Sequence, residues 1–131
     1  MRLILAITLL FIGVNLVATD TTKAVGSKPK IIYGTASFYA NSFHGKKTAN
    51  GETFSQKKMT AACNVLPLGT WIRVTNLRNG RSVLVRTNDR LHTRMKRVVD
   101  LSRSAAEKLN YVKSGLTRVK VEVLGKKKPE E

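Results

Sequence analysis

Residues 70–88 are predicted to form two strands joined by a tight turn, and this hairpin constrains the fold more than any other feature of the sequence. In TWIRVTN, the apolar Ile72 and Val74 alternate with outward residues, which is the period of a strand with one buried face. RSVLVRTN continues as the partner strand. Asn79-Gly80 lies between them and predicts a type I′ turn, because Asn and Gly both tolerate positive φ angles. The hairpin predicts a mainly β fold.

Three further strands are predicted on either side of the hairpin. RVKVEVL (118–124) alternates as clearly as the hairpin does, whereas GTASFY (34–39) and RVVDL (97–101) are shorter. Many short strands within about 90 residues are typical of a small β-barrel or a sandwich.

Two segments are predicted to be helical. SRSAAEKLN begins with two possible N-caps, Ser102 and Ser104, and Ser104 has the capping-box spacing to Glu107. The second segment, KKMTAAC (57–63), is predicted to form one helical turn. The fold is therefore expected to contain one or two short helices beside its strands.

The two ends of the chain are predicted to lie outside this domain. Residues 1–18 have a cationic start, a short apolar run and a final small residue, as a signal peptide does. An uncleaved anchor remains open, because Leu16 is a poor residue two positions before the cut. No cysteine follows the apolar run, so no lipid anchor through a cysteine is expected. Residues 19–32 are predicted to be a linker, 33–124 the folded domain and 125–131 a disordered tail.

The charge of the chain points to an anionic partner. Its 131 residues suffice for one domain, and they carry 24 Lys and Arg against 8 Asp and Glu, a formal net charge of +16. An exported protein with this charge meets cell-wall polymers and anionic membrane surfaces, although charge also serves solubility. The expected location is therefore the periplasm or cell envelope. The single cysteine, Cys63, cannot form an intrachain disulfide, so packing must supply the stability.

Four stretches occurring in order resemble one known family. They are GTASFYANSFHGKKTANGETF, AACNVLPLGT, VTNLRNGRSVLVRTNDR and VVDLSRSAAEKL, and together they run from about Gly34 to Leu124. They are similar to the double-psi β-barrel domain of the rare lipoprotein A family, whose members are peptidoglycan lytic transglycosylases related in fold to expansins. The resemblance implies a six-stranded double-psi β-barrel with a shallow groove over one face.

The resemblance also implies which residues carry the activity. It makes Asp89, in the NDR motif, the centre of catalysis and Glu52, in TANGE, its partner. The family's third residue is a histidine after two alanines, but this chain has Cys63 there. The family usually continues NDR with Gly-Pro, and this chain has Leu91-His92. Both departures lie beside the implied site.

One carboxyl group is enough for the implied reaction. Hydrolases usually need a second carboxylate, whereas a lytic transglycosylase uses the 6-hydroxyl of its own muramyl sugar as nucleophile. A single group can therefore act first as acid and then as base. Three acids are candidates: Glu52, Asp89 and Asp100. Asp100 is expected to accept backbone N–H groups or to pair with Arg97, a structural role.

The neighbouring arginines leave the assignment of Asp89 open. An ion pair with Arg86 or Arg90 is the structural alternative for Asp89. If Arg90 points into the groove, Asp89 stays ionised and stabilises positive charge, and Glu52 becomes the proton donor.

Other side chains are expected to bind substrate or to support the groove. Tyr39 and Trp71 are predicted to be the more exposed aromatic pair and to stack on sugar rings. His44 is expected to orient its loop, and Cys63 to be a small buried hydrophobe. We expect no cofactor and no metal. The predicted substrate contacts are Asn88, Arg90, Tyr39, His44, Asn50 and Trp71.

These observations favour an exported, monomeric lytic transglycosylase that acts on peptidoglycan glycan strands and leaves 1,6-anhydromuramyl ends. The alternative is a non-catalytic, expansin-like wall-binding module, favoured by Cys63 and by the charge. A nucleic-acid binder rests on charge alone and is contradicted by the predicted signal peptide, so nucleic acid is not an expected partner.

Overall fold

The computed structural model describes residues 28–130, so the predicted signal peptide and most of the predicted linker lie outside the described residues. Residues 28–130 form six strands, one α-helix and one 3₁₀ turn. In chain order these elements are β1 (Lys30–Phe38), the 3₁₀ turn (Asn41–Phe43), β2 (Thr60–Ala62), β3 (Trp71–Asn76), β4 (Ser82–Asp89), β5 (Val99–Leu101), α1 (Arg103–Lys108) and β6 (Thr117–Gly125).

The six strands close into a barrel in the order β1-β5-β2-β4-β3-β6, which confirms the predicted fold class. Two of the strand pairs, β1 with β5 and β2 with β4, are parallel, and the others are antiparallel. Closure leaves none of these six described strands with an unpaired edge. The barrel interior contains the fully buried side chains of Ala36, Ala61, Ile72, Val74, Val85, Val99, Leu101, Val119 and Val121. Burying each of the larger aliphatic chains contributes about 1.5–3 kcal/mol.

The predicted hairpin is confirmed, but the predicted turn type is wrong. β3 and β4 pair antiparallel in the expected register, with Val74 opposite Val83. Gly80 has a positive φ of 78°, whereas Asn79 does not, so the connection is a four-residue loop rather than a type I′ turn. The side chain of Asn79 explains the difference, since it donates to the carbonyl oxygen of Leu109 (3.0 Å) and accepts from the backbone N–H of Arg81 (3.0 Å).

The helix predicted around residues 57–63 is wrong. Residues 60–62 form β2 instead, inserted between β4 and β5. Hydrogen bonds from both neighbouring strands outweigh the helix propensity of two alanines. The helix that follows β5 is confirmed, and Ser102 is its cap, because its side chain accepts from the backbone N–H of Ala105; the Ser104 capping box does not form.

The barrel begins earlier than predicted. Lys30, Ile31 and Ile32 pair with β6, so β1 starts inside the segment assigned to the linker. Beyond β6, the chain lies on the barrel: Lys126 donates to the carbonyl oxygen of Leu68, and Lys128 covers the ring of Trp71. No helix among residues 28–130 has the length and apolar character needed to cross a membrane.

Candidate active site

Two aspartates lie on the outer face of the barrel, one on each side of a small residue. Ala62 in β2 is opposite Asp89 in β4 and opposite Asp100 in β5. Residues directly opposite one another across a ladder face the same side of a sheet. The methyl group of Ala62 is the only side chain between them on β2, which leaves room above it.

A β-bulge turns two successive residues of β4 toward the same side. Ala61 pairs with Thr87 and Ala62 pairs with Asp89, so Asn88 is an extra residue in β4. Regular alternation would send Asn88 and Asp89 to opposite faces. Because of the bulge, both side chains reach the loop of residues 45–54 outside the barrel. Asp89 accepts from the backbone N–H of Ala49, and Asn88 donates to the carboxylate of Glu52.

The carboxylate of Asp89 is fixed through both of its oxygens. Oδ1 accepts from the backbone N–H groups of Ala49 (2.9 Å) and Arg90 (2.9 Å), and Oδ2 accepts from the hydroxyl of Tyr39 (2.6 Å). Burial, followed by this hydrogen bond, raises the pKa of Tyr39 far above its ordinary value. The phenol therefore stays protonated and remains a donor to Asp89.

Asp89 faces a largely apolar cavity of about 540 Å³. Half-exposed Phe43 and Met95 line this cavity, together with the buried Leu91. Asp100 lines it too and is paired with Arg97 through two hydrogen bonds of 2.8 and 3.0 Å, so the predicted Asp100–Arg97 ion pair is confirmed. The pair raises the pKa of Arg97.

Glu52 is held away from Asp89 by a network of its own. Its carboxylate accepts from the side-chain amides of Asn50 (3.0 Å) and Asn88 (3.1 Å) and from Arg86 at 2.8 and 2.9 Å. The amide of Asn50, then that of Asn88 and the Arg86 guanidinium lower the pKa of Glu52 to about 2. A carboxylate held in this way is ionised at neutral pH, so the conditional assignment of Glu52 as proton donor does not fit the structure.

The arginines next to Asp89 in sequence do not pair with it. Arg86 binds Glu52. The guanidinium of Arg90 donates to the carbonyl oxygens of Cys63 (2.6 Å) and Leu66. The ion pair of Asp89 with Arg86 or Arg90, which was the structural alternative for this residue, does not form, because both guanidinium groups bind other acceptors.

Several predicted substrate contacts lie elsewhere or are occupied. Tyr39 is 8% exposed and stacks on Phe54 at 3.9 Å between ring centroids, so its prediction as an exposed sugar platform is wrong. Trp71 does not line the cavity of Asp89. Asn88 is buried, with its amide on Glu52.

Two of the predicted substrate contacts, Asn50 and His44, instead form hydrogen bonds within the loop region. Asn50 bonds to Glu52 and accepts from the Thr48 hydroxyl (2.6 Å). His44 Nδ1 accepts from the backbone N–H of Gln56 (3.1 Å), a contact that a residue orienting its loop would make.

Cys63 is 1% exposed and packs in the barrel core, as predicted. Its backbone N–H donates to the carbonyl oxygen of Asp89 (3.0 Å). Burial raises the pKa of the Cys63 thiol, so the thiol is neutral at physiological pH. Cys63 is not among the residues that line the cavity of Asp89.

The sequence predictions missed three features of the cavity. They favoured a structural role for Asp100, although it also lines the cavity, and they gave His92 and Met95 no definite place. The only available signal was the departure from the family pattern after NDR, since Leu91-His92 opens the segment that forms this wall.

A protein-family model described as "Lytic transglycolase" matches residues 31–121. An endolytic peptidoglycan transglycosylase RlpA from Pseudomonas aeruginosa (strain PAO1) is 57% identical over 89 residues, which are 68% of this chain and 26% of that protein. The protein of the same name from Campylobacter jejuni is 49% identical over 92 residues, 70% of this chain and 34% of that protein. The chain thus spans about a quarter to a third of the length of these curated relatives.

Solved structures with low sequence identity share the fold. A Streptomyces papain inhibitor has a TM-score of 0.60 at 19% identity, covering 72% of this chain and 94% of that one. An expansin from Clavibacter michiganensis has a TM-score of 0.60 at 19% identity, covering 78% of this chain and 53% of that one. At such identities the likeness is one of fold.

Proposed function

This chain belongs to the lytic transglycosylase family with the RlpA-like double-psi β-barrel, and we propose from that premise that it cleaves peptidoglycan glycan strands endolytically and without water. The observation that carries the proposal is Asp89. Its carboxylate lines a cavity of about 540 Å³, is fixed by three donors and has no guanidinium bonded to it among the described residues.

Asp89 is the group that transfers the proton. In protonated form it gives its proton to the leaving oxygen as the bond from that oxygen to the muramyl C1 breaks. The carboxylate then takes the proton of the 6-hydroxyl as that oxygen bonds to C1, which closes the 1,6-anhydro ring and restores Asp89. A glycan that fills the apolar cavity excludes water, which favours the neutral carboxyl group needed for the first step.

The remaining residues position this group. Tyr39 and the backbone N–H of Ala49 hold the two carboxylate oxygens. Glu52 anchors the loop that carries Ala49, through Arg86 and Asn88. Export to the cell envelope, with residues 1–18 as a signal peptide, and a monomeric state belong to the same proposal.

Purified glycan strands test the proposal. The wild type is expected to release anhydromuramyl ends, and Asp89→Asn to lower kcat by about 10²- to 10⁴-fold, the usual cost of losing a proton-transfer group. Asparagine keeps an acceptor oxygen for the two backbone donors, so the variant should fold. Glu107→Gln is the matched control, because Glu107 is exposed and, among residues 28–130, forms its one ion pair with Arg103 (3.6 Å). Reducing-end muramic acid as product would refute the mechanism, because it indicates hydrolysis.

The second candidate function is a non-catalytic wall-binding module. It is favoured by Cys63, whose buried neutral thiol cannot replace the histidine of the family pattern. Sedimentation with insoluble sacculi separates the two functions. Binding by both the wild type and Asp89→Asn, with no product from either, would support the module.

A further inference from the structure

Trp71 lies on the same outer face as Asp89, one strand away. Trp71 is opposite Arg86 in the β3–β4 ladder, and Arg86 is opposite Thr60 in β2. Asp89 follows Arg86 by three residues along β4. A strand spacing of about 4.8 Å and a rise of about 3.3 Å per residue put the two backbones roughly 11 Å apart.

A second cavity, of about 240 Å³, lies beside Trp71. Met59 and Leu84 form apolar parts of its lining, and Lys108 and Lys128 also line it. The ammonium group of Lys128 is 5.4 Å from the centroid of the Trp71 ring. Among residues 28–130, neither lysine pairs with a carboxylate. The site therefore combines an aromatic face with two uncompensated cations.

A polar cavity of about 310 Å³ lies between Trp71 and Asp89. It is lined by Lys58 and Thr60 and by the ion pair of Glu52 with Arg86, among others. Its Thr60 is next in sequence to Met59 at the Trp71 cavity, and its Asn88 is next to Asp89. The three cavities therefore follow one another along the outer face of β2 and β4. A ligand that contacts all three cavities passes beside the loop of residues 45–54, at the point where the backbone N–H of Ala49 donates to Asp89.

We propose that Trp71, Lys108 and Lys128 form a distal subsite for the glycan strand that is cleaved at Asp89. A sugar ring packs its apolar C–H face on the indole and displaces the Lys128 ammonium group that covers the ring in the free protein. The lysines attract carboxylates carried by muramyl residues of the same strand. This inference rests on the proposed function. Given the separation of roughly 11 Å, a disaccharide seated at Asp89 does not reach the indole, whereas a tetrasaccharide or a longer strand does.

Fluorescence tests the subsite independently of cleavage, because Trp71 is the single tryptophan of the chain. The Asp89→Asn variant is titrated with long, peptide-free glycan strands at concentrations that saturate it in a sedimentation assay. A change in indole emission that follows the binding curve is expected. Saturated binding with unchanged emission would overturn the subsite, while leaving the proposed cleavage at Asp89 untouched.

Kinetics of the wild type and two aromatic variants give the second test. Trp71→Leu is expected to raise KM on long strands by about tenfold, which corresponds to about 1.4 kcal/mol, with kcat unchanged. Tyr33→Leu is the matched control, because Tyr33 is another aromatic residue of the barrel, 60% exposed on β1 and outside all three cavities. An equal rise of KM in both variants would contradict the subsite. If the wild type forms no anhydromuramyl product, the proposed function fails, and the emission measurement still decides the subsite.

Lysine variants test the electrostatic part. Lys108→Gln and Lys128→Gln are expected to raise KM on long strands at low salt, and the difference from the wild type should shrink as salt screens it. A KM effect that does not depend on salt would refute the role of the cations.

Discussion

Replacing Glu52 by glutamine separates an anchoring role from a proton-transfer role. Glu52 accepts hydrogen bonds from Asn50, Asn88 and Arg86, and its pKa is lowered to about 2 chiefly by the two amides. Glutamine keeps one oxygen for the amides but turns an NH₂ group toward the guanidinium. The lost interaction is the ion pair with Arg86, whose side chain is 28% exposed, against 43% for Glu52.

The expected loss of stability is small, because solvent screens an ion pair with this exposure. Such a pair contributes about 0.2–1 kcal/mol, which lowers Tm by roughly 1–8 °C in a domain of this size. The folded-state pKa lies below the ordinary value of 4.5, so the contribution is complete above pH 4.5 and is lost as the pH falls through about 2. The difference in Tm between wild type and Glu52→Gln should therefore shrink over that interval in thermal melts.

The rate of anhydromuramyl formation then distinguishes an anchoring role of Glu52 from a role as proton donor. An anchor predicts that Glu52→Gln and Arg86→Gln lower the rate of anhydromuramyl formation to a similar extent, about tenfold at most, and that the double variant is no worse than either single one. A proton donor predicts a loss of about 10²- to 10⁴-fold in Glu52→Gln alone. The second result, in a variant that melts normally, would refute the anchoring role.

Two further variants test the support of the site and of the barrel. Tyr39→Phe keeps the ring stack on Phe54 but removes a donor that holds the Asp89 carboxylate in place, so kcat for anhydromuramyl formation should fall by about tenfold with KM unchanged; an unchanged kcat contradicts the positioning role. Asn76→Ala leaves the buried Thr117 hydroxyl without its acceptor and the Leu109 carbonyl with Asn79 as its remaining side-chain donor, so it should cost about 1–3 kcal/mol in urea unfolding; a loss below about 0.5 kcal/mol would show that the network is not stabilising.

The parts of the fold that the sequence predicted well are the strands with one buried face and one face toward solvent. β3, β4 and much of β6 alternate between core and surface, so their period is visible in the residue types. β2 is buried at all three of its positions and has no alternation to detect. Its alanines favour a helix when they are considered alone, and only the pairing with β4 and β5 decides otherwise.

The candidate site was predictable as a location but not as a set of contacts. The motifs bring Asp89 and the loop of Glu52 together, since both lie in short, recognisable stretches. The partner of Asp89, however, is Tyr39, 50 residues away, and the partner of Glu52 is Arg86, 34 residues away. Such contacts depend on barrel closure and on the bulge at Asn88, which no local pattern encodes.

The arrangement explains how a chain of net charge +16 keeps one carboxylate free of cations. Arg86 and Arg97 are each bound to another acid, and Arg90 is bound to two backbone carbonyl oxygens. More distant exposed cations are screened beyond about 8 Å at physiological salt. Among the described residues, the side chain bonded to Asp89 is therefore a neutral phenol, Tyr39. A guanidinium in that place would fix the carboxylate in its ionised form and oppose the protonation that the first step of cleavage requires.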